Sequence, residues 1–509
     1  MFAPGAVLLH YFAQHQFNNQ REQFPASRSP ANIQAMKKTS STTGISRRNF
    51  LAAAGVAGAA VGLPTFIPMR ALGIQGNPSP NGRITMGVVG WGMQGPGDTQ
   101  NFLRETDCQV VAACDLDKGH LGQAVNTINN HYKNQDCKGY HDYKEMMART
   151  DIDTVLLAVP DHWHALVAIE ACKNKMDIYG EKPLARTIAE QQAIVRAVQN
   201  AKRIWQTGSW QRSERNFHYG AEIVRNGLIG KITRVEVGLP SGHNDFAGTA
   251  PALKKKLATL PDKPQDLSKV LPGTPAWDLA VSAAPEALDY QTWIGPSSDE
   301  PYIEARVHKN WRWNYNTGGG QLLDWISHHN DINHWGLGND DHIGPLSIGG
   351  TGDFPDRRAI WNTCTKYRLT AKYPNDIEVI IAGGHRDIRS GTKWIGTEGW
   401  VWVDRGNAFE ASNKAWEDTR TLPDDLRKVQ LHFTKGGHYR NFLDCVKSRQ
   451  PTVTPVEVTH HSSLPGHLGL ISLLVGREIK WDAAKEQIIG DPEATKLMTR
   501  GYRAPYSFA

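Results

Sequence analysis

Three short stretches carry residue types that could do redox chemistry together. Gly90, Trp91, Gly92, Met93, Gln94 and Gly95 form a G-x-G-x-x-G run, and Asp115 lies 20 residues beyond Gly95. Glycines so spaced let a backbone turn tightly and approach a pyrophosphate at a helix N-terminus, while the acidic residue accepts hydrogen bonds from the adenosine ribose. The same carboxylate would repel a 2′-phosphate, so NAD is expected rather than NADP. Lys182 follows Glu181 just after the apolar run MDIYG and precedes Pro183, which stiffens the chain. Asp324 and His328, four apart behind Gly318, Gly319 and Gly320, share one helical face. Removing a hydride from a carbinol carbon requires the hydroxyl proton to leave as the carbonyl forms. A neutral His328 can take that proton, because imidazole titrates near operating pH. Lys182 would stabilise the developing alkoxide, and Asp324 would orient the substrate hydroxyls or the histidine.

These residues need a scaffold, and the periodicity supplies one. From Ile84 the runs ITMGVVG, VVAACD, TVLLAVP and MDIYGEKP alternate with helical stretches such as KGHLGQAVNTINNHY and HALVAIEACKNK. Near-continuous apolar strands joined by helices predict a parallel sheet covered on both faces, closing near RIWQTG at 203–208. Beyond it KITRVEVGLP, KYRLTAKYP, DIEVIIAGG and TKWIGTEGWVWVDRG alternate apolar and polar residues, as an antiparallel sheet with one covered face would. HYRNFLDCVKSR at 438–449 and SLPGHLGLISLLVGREI at 463–479 read as late helices. The Pro-, Lys- and Ala-rich stretch between Pro240 and Pro296 shows little periodicity and reads as one long loop, functional or mobile. The predicted organisation is a leader over 1–82, a Rossmann dinucleotide-binding domain over 83–206, and an α+β substrate-binding and oligomerisation domain over 207–509. The fold class is α/β, with the C-terminal sheet open and mostly antiparallel.

GVVGWGMQG, AVPDHWHALVAIEACKNKMDIYGEKPLA at 158–185 and GGGQLLDWISHHNDINHW at 318–335 resemble the Gfo/Idh/MocA oxidoreductases, the family of glucose-fructose oxidoreductase and inositol dehydrogenase. The likeness runs from about Arg83 to Trp481 and implies that Lys182, Asp324 and His328 are the catalytic set. It also implies that Pro160, His162 and His164 pass beside the nicotinamide ribose, with Glu181 and Lys182 completing the cofactor contacts; His164 could equally cap the following helix. Trp163, Gln211, Arg212, Trp311, Arg312 and His329 offer aromatic faces and polar groups for a sugar. Ile326 stands where the family usually has glycine, so the space around that helix is expected to be narrowed. His162, His164, His328, His329, Asp331 and His334 could serve a metal, but no third ligand is fixed by spacing and no metal is expected. An oligomer assembled through the open sheet is a further implication of the resemblance.

Charge and targeting narrow the setting. The net charge of +6 comes from the first 70 residues, with seven basic residues against one acid; the remainder holds fifty of each, which excludes nucleic acid as a partner. The six cysteines form no C-x-x-C pair and read as buried thiols. Arg47 and Arg48 precede Phe50–Leu63, an apolar run of 14 residues, too short to span a bilayer. SRRNFL resembles a twin-arginine export signal, whose translocation machinery carries folded proteins out of the cytoplasm. Met36, followed by Lys37 and Lys38, would make a natural start. A periplasmic or otherwise exported enzyme has no free NAD outside the inner membrane. Its cofactor must stay bound, which favours a closed hydride cycle on a sugar, sugar acid or cyclic polyol. The alternatives are redox-neutral hydrolysis, elimination or epimerisation through transient oxidation at C3, as in the NAD-dependent glycosidases of the same superfamily, and a non-catalytic sugar-binding protein.

Overall fold

The computed structural model describes residues 82–243, 246–338 and 344–508; the export segment and Met36 lie outside them. Strands β1 (Ile84–Val89), β2 (Cys108–Cys114), β3 (Lys138–Tyr140), β4 (Thr154–Leu157), β5 (Asp177–Gly180) and β6 (Trp205–Thr207) form a parallel sheet in the order β3-β2-β1-β4-β5-β6. Every residue of β4 and β5 is buried, the consequence of covering both faces with helices. The strand order reverses between β1 and β4, and the carboxyl ends of these strands open the crevice in which such sheets hold ligands. The Lys118–Tyr132 helix starts where Asp117 Oδ1 accepts the Gly119 and His120 amides.

The second sheet contains β7 (Ile232–Leu239), β8 (Ser347–Asp353), β9 (Lys366–Lys372), β10 (Glu378–Gly383), β11 (Gly391–Gly396), β12 (Trp400–Asp404), β13 (Ala408–Ala411), β14 (Ile479–Asp482) and β15 (Gln487–Ile488). Its order is β13-β12-β11-β7-β10-β9-β8-β14-β15, with β7 and β10 parallel and the other pairs antiparallel. Alternation places Tyr367, Leu369 and Ala371 of β9 in a core shared with the Gly320–Leu337 and Val456–Val475 helices. Ile326 packs there. A Cβ added to Gly466 would lie 2.8 Å from Ile326 Cγ1, so this isoleucine fills the helix–helix interface instead of narrowing a substrate space. The Val456–Val475 helix begins seven residues before the predicted start and runs through Pro465.

The stretch after Pro240 is not one long loop. It folds into the short helices Phe246–Thr249, Pro251–Leu257, Pro275–Ala280 and Tyr290–Ile294. Leu253, Leu257 and Leu267 pack around Trp313 and Trp361, so its core comes from residues far along the chain and leaves no long periodic signature. All six cysteines are buried and free. Among the described residues, no helix is long and apolar enough to cross a membrane.

Candidate active site

A cleft of about 450 Å³ opens at the carboxyl ends of β1, β2 and β4. Gly90, at the end of β1, has φ +95°, and a Cβ there would collide with the Ala158 carbonyl. A Cβ on Gly92 would meet no protein atom within 4 Å, so this glycine faces open space in the cleft. The following helix, Gly95–Leu103, has no side-chain N-cap, leaving its first amides for an anion. Asp115 directly follows β2 and braces the glycine loop: its Oδ2 accepts the Trp91 amide at 2.7 Å and its Oδ1 the Asp117 amide at 2.9 Å. These features fit the cradle of a dinucleotide.

The opposite wall comes from the Tyr290–Ile294 helix and the residues just before it. Leu288 bridges to Asp117, Lys118 donates its amide to the Ala287 carbonyl at 2.8 Å, and Asp289 donates to the Leu116 carbonyl at 3.2 Å. At the other end His162 Nε2 and Trp163 Nε1 both donate to the Trp293 carbonyl at 2.9 Å. Leu288, Asp289, Thr292 and Trp293 line the cleft, so this strap is tied down on both sides of it.

At the inner edge Lys182 Nζ lies 3.0 Å and Arg312 Nε 3.1 Å from the same Asp324 oxygen, Oδ1. Arg312 stacks on Trp311 with its guanidinium 4.2 Å from the ring centroid. Gly318 allows this approach, since a Cβ there would come within 2.7 Å of the Arg312 backbone. Burial raises the Asp324 pKa, but the two cations outweigh it and hold the carboxyl at about 2. His328, one turn along the Gly320–Leu337 helix, is 4% exposed and its Nδ1 has no hydrogen-bond partner. Burial, and then the charges of Lys182 and Arg405, depress its pKa well below that of a free imidazole, so it is neutral. Lys182 and Arg312 line the cleft with the ionised Asp324 behind them, an arrangement that suits alkoxide stabilisation; His328, expected to titrate near operating pH, is held well below it and is not among the residues that line the cleft.

The predicted residues divide into two groups. Gly90, Gly92, Met93, Gln94, Asp115, Pro160, Trp163, Glu181, Lys182, Trp311 and Arg312 line the cleft. Gly95 packs against the Gly90 carbonyl, and the Trp91 ring is buried in the core behind the sheet, leaving its amide as its contribution. His162 and His164 were expected beside the nicotinamide ribose. Both are instead buried and turned to carbonyls, His162 to Trp293 and His164 to Val159 at 2.8 Å. Gln211, Arg212 and His329 were expected to meet a sugar, yet each is buried. Arg212 holds Asp331 through both carboxylate oxygens at 2.8 and 2.9 Å, and His329 faces Gln211 and Asp404. Glu181 turns its buried carboxyl toward Gly208, where a Cβ would collide with it.

Asp161 and Arg405 were not anticipated. Asp161 sits in the Pro160–His164 run, whose histidines drew attention first; burial and then the Asp324 carboxylate push its pKa up to about 7. Arg405 lies between Trp210 and Trp325, 4.8 and 4.3 Å from their ring centroids, at the end of a β12 turn that no local motif marks.

Comparison with known proteins identifies the family. Residues 84–209 match the profile described as the oxidoreductase family NAD-binding Rossmann fold (Gfo/Idh/MocA), and 273–508 match the C-terminal alpha/beta domain of the same family. Residues 44–64 match the twin-arginine translocation pathway signal sequence, which directs export across the inner membrane. Inositol 2-dehydrogenase of Salmonella typhimurium is 29% identical over 173 residues, 34% of this chain and 48% of that protein. Glycosyl hydrolase family 109 protein 2 of Shewanella sp. is 30% identical over 216 residues, 38% of this chain and 46% of that protein. The matched region thus spans about half the length of these curated relatives. Among solved structures, the WlbA dehydrogenase of Chromobacterium violaceum in complex with NADH and UDP-GlcNAcA aligns with a TM-score of 0.55 at 16% identity, covering 80% of this chain and 98% of that one. The aldose-aldose oxidoreductase of Caulobacter crescentus aligns with a TM-score of 0.51 at 14% identity, covering 78% and 99%.

Proposed function

The chain belongs to the Gfo/Idh/MocA family of NAD-binding oxidoreductases, and from that premise we propose that it oxidises a carbinol of a sugar, sugar acid or cyclic polyol with an NAD that stays bound between turnovers. The observation that carries this reading is the Lys182–Asp324–Arg312 cluster, with both cations within 3.1 Å of one carboxylate oxygen and a neutral His328 one turn away. NAD would be held by the glycine loop, by Asp115 and by the strap, and when bound it supplies the hydride acceptor. Lys182 is placed to stabilise an alkoxide, Asp324 keeps the ammonium oriented, and His328 takes the hydroxyl proton. The Asp115 carboxylate beside the ribose position supports NAD over NADP.

A tethered cofactor calls for a second substrate to return the hydride, or for a reaction that is redox-neutral overall. The second arrangement would have oxidation acidify a neighbouring C–H, elimination and addition follow, and the hydride return to the same carbon; that one relative is named a glycosyl hydrolase family 109 protein is the reason to keep it in view. One experiment separates them. Protein isolated without added nucleotide is denatured to identify what it releases, and intact protein is incubated with a panel of sugars, polyols and glycosides. NAD in the released fraction and products of altered oxidation state are expected; cleaved or epimerised products with unchanged oxidation state select the redox-neutral cycle. A protein that neither retains nor rebinds nucleotide overturns the proposal.

A further inference from the structure

Away from the cleft, three side chains bring ligand-type atoms to one point. His460 Nε2 lies 3.2 Å and His461 Nε2 3.5 Å from the same Glu486 oxygen, Oε1, and the three atoms all lie within 4.8 Å of one another. His460 and His461 belong to the Val456–Val475 helix, and Glu486 to the turn between β14 and β15, where its φ of +50° is in the left-handed region.

The neighbours determine which nitrogen of His460 carries hydrogen. Gln191 directs its amide nitrogen to His467 Nε2 at 2.7 Å and to Ser463 Oγ at 3.1 Å, so its Oε1 faces His460 Nδ1 at 2.8 Å as an acceptor. Nδ1 is therefore the donor, and in the neutral ring Nε2 points a lone pair at a carboxylate oxygen. Either a hydrogen on His460 Nε2 or a cation must lie between these two acceptors. His461 is aimed at the same oxygen, and one cation would serve all three groups. Bonds of about 2.0–2.1 Å to imidazole nitrogen and carboxylate oxygen define a tetrahedron with edges of about 3.3–3.4 Å. The two contacts to Oε1, at 3.2 and 3.5 Å, bracket that length.

The outer shell is also in place. Gln191 orients His460, and Gln192, the next residue of the Ile188–Ala201 helix, donates to Glu486 Oε2 at 3.1 Å, which leaves Oε1 for the ion. We propose that His460, His461 and Glu486 bind one divalent cation of the zinc class, with water from the partly exposed Glu486 side as the fourth ligand. Two nitrogens and one oxygen suit zinc better than calcium or magnesium, which take oxygen donors. The ion would pin the long second-domain helix and the β14–β15 turn beside the Gln191–Gln192 face of the first domain.

The test uses tag-free full-length protein. Elemental analysis after extensive dialysis is expected to find one equivalent of zinc per chain, or chelator-treated protein is expected to take up one equivalent with a rise in Tm. Cobalt(II) added to chelated protein should give the visible absorption of a tetrahedral site. Glu486→Gln and His461→Ala should lose the equivalent, and Gln191→Ala should bind it about 10- to 100-fold more weakly. No zinc uptake and no tetrahedral cobalt spectrum in the unsubstituted protein would overturn the proposal without reference to any variant. An equivalent that persists in Glu486→Gln/His461→Ala would overturn it as well.

Discussion

Two buried aspartates on one helix, Asp324 and Asp331, each meet an arginine, and they do different things. Asp331 gives both oxygens to Arg212 in a pair whose side chains are 1% and 2% exposed. Asp324 receives Lys182 and Arg312 on a single oxygen and stands beside an open cleft. The first arrangement is closed: geometry and charge are satisfied within the protein. The second is open, because Lys182 lines a space that substrate and cofactor can enter. The difference lies in access: Lys182 and Arg312 line the cleft, whereas neither Arg212 nor Asp331 does.

The contrast can be broken at each end. Arg212→Ala removes the guanidinium that both Asp331 oxygens accept from, and is expected to cost about 3–5 kcal/mol of unfolding free energy in denaturant titration. Substitution at Lys182 should act on chemistry instead. Lys182→Ala is expected to lower the rate of cofactor reduction by about 10²–10³-fold, on the order of 3–4 kcal/mol of barrier, while the bound nucleotide and Tm stay near those of the unsubstituted protein. Equal loss of stability in both variants would erase the distinction.

Asp161 sharpens the comparison through pH. Its folded pKa of about 7 lies above the ordinary 3.8, so the folded state binds this proton more tightly than the unfolded chain does. The carboxyl is neutral in both states below about pH 4, and the folded state is progressively penalised as pH rises to about 7. Asp161→Asn should therefore gain stability relative to the unsubstituted protein by about 1–3 kcal/mol between pH 4 and pH 8, read from paired unfolding curves. A gap that does not change with pH would count against the buried carboxyl. The smallest effect is expected at Ile326: Ile326→Val should cost about 0.5–1.5 kcal/mol through looser packing on Gly466, without altering which sugars reduce the cofactor.

The parallel sheet and the glycine loop were legible because their signals are local. Strand, turn and helix follow one another within Ile84–Leu103, and Asp115 lies at the end of the next strand. Short motifs single out Lys182 and Asp324, which the fold brings to 3.0 Å of each other. Arg212 and His164 were misread for a common reason: Asp331 is far from Arg212 in sequence, and the Val159 carbonyl carries no sequence mark. Side-chain type announces what a group could do, while its partner decides what it does. The helices of the 246–294 insertion escaped detection because each is short and leans on Trp313 and Trp361, beyond the stretch itself.

The strap across the cleft has a kinetic consequence. Leu288 and Asp289 are joined to the loop after β2, and Trp293 is held by His162 and Trp163, so this wall of the cleft is fastened at both ends; under the proposal that NAD stays bound, parting of these attachments would govern its release. Escape of the cofactor then follows local unfolding, and its rate should climb with temperature as steeply as an opening reaction does. Residence time would be set by how often the strap lifts, largely independent of how well the nucleotide fits.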